Sequence, residues 1–178
     1  MSTPPTLHFM CGKAGAGKST LAQRLAIEHH AILLCEDVWM ARLYPDEVVS
    51  FDDYVKYSRR IKHVVGPLVI ALLRQQSVVL DFPANTVDTR AWFRSIFEEA
   101  AAPHVLHHVD SPDQVCLAQI AKRNEERPEG SHVVSEEMFH YITSLFQPPD
   151  LAEGFNVCTH APAAPTPPMS GLDKMASP

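Results

Sequence analysis

Eight residues near the start constrain the chain most. Gly12-Lys13-Ala14-Gly15-Ala16-Gly17-Lys18-Ser19 matches GxxxxGK[ST] at every fixed position. The flanks suit the pattern: Thr6 to Cys11 (TLHFMC) reads as a short strand, and Lys18 to His29 has helical periodicity. Glycines let the backbone bend until consecutive N–H groups point inward, and the following helix adds its positive N-terminal end. Such a turn cradles phosphate. Gly12, Ala14, Gly15, Ala16, Gly17, Lys18, Ser19 and Thr20 are therefore the expected nucleotide contacts. Lys18 would reach the β- and γ-phosphates of ATP, and the Ser19 hydroxyl would ligate Mg²⁺. Lys13 reads as a solvated loop residue.

The rest of the chain alternates apolar runs with helical patterns. Ala31 to Cys35, Ser77 to Asp81, His104 to Asp110 and Phe155 to Thr159 read as further strands. Between them lie a short helix or turn at Glu36 to Leu43 and a long helix opened by Ser50 with Asp53. Pro67 is expected to kink or interrupt that long helix. Asn85 or Thr86 starts the next helix, which carries Trp92 and Phe93; both read as core. Ser111-Pro112-Asp113-Gln114 reads as a helix start with Ser as N-cap, and Ser135 caps a last helix to about Phe146. Strand–helix alternation predicts an α/β fold of the P-loop NTPase kind: three layers around a doubly wound, mainly parallel sheet. One such domain spans residues 1–160, and a Pro/Ala-rich tail over 161–178 is expected to be disordered.

The chain has 178 residues, 46% of them hydrophobic, enough to build a core. Its net charge of −6 argues against extended nucleic-acid binding, which favours a basic surplus. No leader pattern or membrane-length apolar run appears, so a cytoplasmic protein without a membrane role is expected. The four cysteines show no CxxC pair and read as reduced thiols packed as small hydrophobes. Most of the ten histidines read as surface or structural.

Three later motifs join the phosphate loop. They are Glu36-Asp37-Val38-Trp39-Met40-Ala41-Arg42-Leu43, the strand end Val78-Val79-Leu80-Asp81 followed by Asn85 and Arg90, and Lys122-Arg123-Asn124-Glu125-Glu126-Arg127 before a Pro/Gly loop. With these in order, residues 6–158 resemble the small P-loop kinases of the AAA type. Those are similar to the 5′-kinase domain of phage polynucleotide kinase and, more distantly, to zeta toxins and chloramphenicol phosphotransferase. The resemblance implies an ATP- and Mg²⁺-dependent kinase with a small helical lid over about 122–135. It makes Asp37 the general base, with Glu36 as rival, because the Asp37 to Leu43 spacing fits. Arg42 stands in for an arginine that the family has where this chain has Met40. Arg42, Asp81 and Asn85 then face the acceptor, with Asp81 also resembling a metal-site strand-end acid. Arg123, then Arg127, closes over the ATP phosphates. The stretch Glu36 to Gln76 supplies the acceptor pocket, with Tyr44, Tyr54, Tyr57, Arg59, Arg60 and Lys62 available to grip an anionic group. The acceptor is a small molecule, a nucleotide or a nucleic-acid end. The alternatives are an ATPase switch without an acceptor and a toxin-like kinase.

Overall fold

A computed structural model describes residues 4–161. Five strands form one sheet: β1 (Leu7–Cys11), β2 (Ile32–Cys35), β3 (Val78–Pro83), β4 (His104–Val109) and β5 (Val157–His160). Their order is β2-β3-β1-β4-β5 and every neighbouring pair is parallel. The helices are α1 (Lys18–Glu28), α2 (Glu36–Leu43), α3 (Phe51–Leu72), α4 (Val87–Glu99), α5 (Asp113–Glu126) and α6 (Glu136–Ser144), with a single 3₁₀ turn at Leu151–Glu153. Parallel pairing needs crossovers, and these helices supply them on both faces.

Alternation along the strands divides the core. On one face Leu7, Phe9, Leu80 and Phe82 meet Ile61, Val65 and Val69 of α3 and Phe93, Ile96 and Phe97 of α4. On the other, Met10 and Val79 meet Leu21, Ala22 and Leu25 of α1, Cys116 and Ile120 of α5 and Phe139 of α6. This is the expected three-layer, doubly wound fold. Because β1 is central, the loop after it opens at the carboxyl edge of the sheet, where such folds place ligands.

Several local expectations are refined or corrected. Pro67 does not interrupt α3, which runs through it as one helix; it sits on the exposed side, so its missing N–H leaves no buried carbonyl stranded, while Ile61, Val65 and Val69 hold the buried stripe. Ser111 does not cap α5: the N-cap is Pro112, and the buried Ser111 hydroxyl donates to Ala16 O at 3.1 Å. Trp92 packs against the core as expected, stacked near Phe82, but is half-buried and also lines the cleft described below; Phe93 is core as expected. Cys11 and Cys116 are buried, but Cys158 is exposed. Thr86, not Asn85, caps α4, in a reciprocal pairing with Thr89. Residues 162–178 of the expected tail lie outside the described residues. Among the described residues no helix is long and apolar enough to cross a membrane.

Candidate functional site

The loop between β1 and α1 is held from three sides. Asn85 Oδ1 accepts from Gly12 N at 2.9 Å, Lys13 Nζ pairs with Asp113 at 2.5 Å, and Ser111 binds Ala16 O. Lys13, read as solvated, is thus a brace onto α5. Gly15 sits at φ +72, and a Cβ there would lie 2.4 Å from Cys116 O, so only glycine lets α5 pack this closely. Gly17, at φ 97, is the N-cap of α1 and provides no side-chain cap. The first-turn N–H groups of α1 therefore remain for a ligand, the arrangement that binds phosphate. Lys18 folds over this turn, donating to Gly12 O and Lys13 O at 2.7 Å each. Burial lowers its pKa, and the Asp81 carboxylate works against that fall.

Above the loop lies a cleft of ≈ 1080 Å³. Ala14 to Thr20 line it, Asp37, Asp81, Asn85 and Arg123 contribute polar groups, and Trp92 contributes an aromatic ring. Ligand cavities typically span about 300–1,000 Å³, so there is room for a nucleotide and a second molecule. Asp81 sits within β3 opposite Cys35, whose thiol donates to Asp81 Oδ2 at 3.5 Å. The Ser19 hydroxyl and the Asp81 carboxylate are hard oxygen donors of the kind Mg²⁺ takes, so the residues present fit that ion.

The two acids that open α2 part company. Glu36 is fully buried and accepts from Tyr54 Oη at 2.8 Å and Ser58 Oγ at 2.6 Å, fastening α2 to α3. Asp37 lines the cleft. Burial first, then the Glu36 and Asp81 charges, raises its carboxyl to about 7. Arg123 and Lys18 pull the other way.

Arg123 of α5 lines the cleft, and its Nε is buried without a hydrogen-bond partner among the described residues. Arg127, the exposed left-handed C-cap of α5, is not part of the lining. Nor is Arg42, whose guanidinium holds Glu129 through two bonds of 2.7 and 3.0 Å. The side chain that was to meet the acceptor instead fastens the loop after α5 onto α2. There Gly130 passes so close that a Cβ would stand 2.9 Å from the Asp37 backbone. Asn124 exchanges two bonds with the Val134 backbone and fixes the other end of that loop. Of the residues expected to grip an acceptor, Tyr54, Arg59 and Lys62 line the cleft. Tyr44 and Tyr57 stack on each other at 4.1 Å outside it, with Arg60 over the Tyr57 ring.

Sequence reasoning missed Gln119 and His132 in the lining. Gln119 was findable, being four residues before Arg123 and so on the same helix face. It also missed the acid for Arg90. That fully buried arginine pairs with Glu153 at 2.7 and 2.8 Å and donates to Ala84 O and Gln147 O, bracing the strand end behind Asn85.

The profile of a family described as AAA domain matches residues 7–149. No curated protein matches the sequence. Similar solved structures include an APS kinase from Mycobacterium tuberculosis in complex with AMPPNP and APS, 22% identical over 91% of each chain with a TM-score of 0.60. A sugar kinase from Janibacter is 15% identical over 92% of this chain and 88% of its own, TM-score 0.62. A gluconokinase from Sinorhizobium meliloti is 14% identical over 93% and 86%, TM-score 0.61.

Proposed function

The chain belongs to this AAA domain family, and from that premise we propose that it is a kinase, moving the γ-phosphoryl group of ATP onto a hydroxyl of a small molecule or a nucleotide or nucleic-acid end. The observation that carries the reading is one continuous cleft that joins the phosphate loop to the Asp37 carboxyl and runs on to a wall of α3 and α4 side chains around Trp92. A nucleotide on the loop and an acceptor against that wall would meet at Asp37. Similarity to kinases of sugars and of APS supports this arrangement in kind.

The α1 amides and Lys18 hold the phosphates. Lys18 leaves its two carbonyl partners for phosphate oxygens, exchanging neutral acceptors for charged ones. Ser19 and Asp81 would hold Mg²⁺, which would supply charge neutralisation of the phosphates. Asp37 takes the acceptor's proton; a carboxyl raised to about 7 is matched to that task near neutral pH. Arg123 turns its unpartnered Nε toward the transferring group, whose equatorial oxygens carry the charge. Arg59 and Lys62 attract an acceptor with an anionic group.

The test is γ-labelled ATP with Mg²⁺ and a panel of sugars, nucleosides, nucleotides, oligonucleotide 5′ ends and hydroxylated antibiotics. A labelled phosphomonoester is the expected product. Release of inorganic phosphate alone, unchanged across the panel, would favour an ATPase switch.

A further inference from the structure

His107, Cys158 and His160 come together on the two strands farthest from β2, and none of them lines the nucleotide cleft. In the parallel register His107 lies opposite Cys158, and Val109 opposite His160. Residues opposite one another, and residues two apart on one strand, share a face. The three side chains therefore project from the same side of the sheet. Their ligand atoms all lie within 4.8 Å of one another. Tetrahedral Zn²⁺ with bonds of about 2.0–2.3 Å sets its ligand atoms roughly 3.3–3.7 Å apart, so the His107 Nδ1–His160 Nε2 pair, 2.9 Å apart, would open and the wider spacings close, both by side-chain rotation.

A second feature points the same way. His107 Nδ1 stands 2.9 Å from His160 Nε2, while its other nitrogen, Nε2, stands 3.0 Å from Nδ1 of the buried His8. The His8 ring is in turn stacked on His29 at 4.6 Å. A ligating histidine characteristically donates its second ring N–H to a neighbour that fixes the tautomer. With His107 Nε2–H donating to His8, the Nδ1 lone pair on the His160 side would be left for a ligand.

We propose that His107 Nδ1, His160 Nε2 and Cys158 Sγ form a transition-metal site, suited to Zn²⁺ by its two imidazoles and one thiolate, that clamps the four-residue strand β5 to β4. Binding moves the His160 proton to its other ring nitrogen and releases the Cys158 thiol proton to solvent. The exposed position of Cys158 leaves the fourth coordination position to water.

The experiment uses the full chain, stripped with chelator and titrated with Co²⁺ without nucleotide or Mg²⁺, which keeps the Ser19 site out of the readout. One equivalent of Co²⁺ should give a thiolate-to-cobalt charge-transfer band and intense visible bands of tetrahedral geometry, all displaced by Zn²⁺. Cys158→Ser should abolish the charge-transfer band, and His160→Ala should weaken binding at least ~10-fold. Both positions are at the surface or near it, so the variants keep the fold, as circular dichroism would show. Zn²⁺ should raise the melting temperature of the unaltered protein and not that of Cys158→Ser. Absence of the thiolate band in the unaltered protein, or spectra unchanged in both variants, would overturn the site.

Discussion

Replacing Asp37 by Asn should make the protein more stable and less active at once. The carboxyl is raised from 3.8 to about 7 by burial and by the charges of Glu36 and Asp81. A raised pKa means that the native state holds the proton more firmly than the unfolded chain does. Stability from this group is therefore complete below 3.8 and is lost as pH rises through about 7. At 1.36 kcal/mol for each tenfold change in proton affinity, the loss is at most about 4 kcal/mol. Water entering the open cleft reduces it toward about 1 kcal/mol. Asparagine keeps the shape and carries no charge. In urea titrations the variant should thus exceed the unaltered protein by about 1–4 kcal/mol near pH 8, the gap closing toward about pH 4. Its transfer rate should fall by ~10²–10⁴-fold, the usual contribution of a general base. An acid that merely complements the α2 dipole predicts the opposite: a stability loss of up to about 1 kcal/mol and an intact rate. Either half of that opposite result would refute the reasoning. Glu36→Gln separates the neighbour's part, since Glu36 is engaged by Tyr54 and Ser58; a dead Glu36→Gln beside a fully active Asp37→Asn would move the base one residue earlier.

Three further outcomes follow from the same geometry. Lys18→Ala, which leaves phosphate facing backbone dipoles alone, should abolish turnover and weaken ATP binding measured by calorimetry. Arg123→Ala should lower kcat by ~10²–10³ with a smaller change in ATP affinity, because its charge acts most as the transition state forms; a loss confined to affinity would make it a ground-state contact. Arg90→Met should cost about 3–5 kcal/mol in urea unfolding, since it strands Glu153 against the sheet. The bonds from Arg90 hold the Glu153 carboxyl below its ordinary 4.5. The stability this gives is present above 4.5 and lost on acidification below it, so the variant's melting curve should be flatter with pH in that range.

The sequence showed the frame and the phosphate loop because both depend on local rules. Glycines at fixed spacing, continuous apolar runs and a Ser50 cap each act within a few residues, and each reappears in the fold. What it did not show depends on pairs far apart in the chain. Ser111 has the form of a helix cap, but Ala16, 95 residues earlier, takes its hydroxyl. Arg42 has the spacing of an acceptor contact, but Glu129 lies beside it only because the loop after α5 folds back across Gly130. Glu36 and Asp37 are alike in sequence; burial under Tyr54 and Ser58 distinguishes them. Arg90 and Glu153 are 63 residues apart and meet through the fold alone.

The central claim is transfer to a hydroxyl rather than to water, and an isotope decides it. The reaction is run with ATP, Mg²⁺ and the best acceptor of the panel in heavy-oxygen water, and the phosphate products are weighed by mass spectrometry. Transfer within the cleft predicts a phosphomonoester whose oxygens all come from ATP and the acceptor, with no solvent label, and its loss in Lys18→Ala. Inorganic phosphate carrying one solvent oxygen as the sole product, formed at the same rate with and without acceptor, would contradict the account.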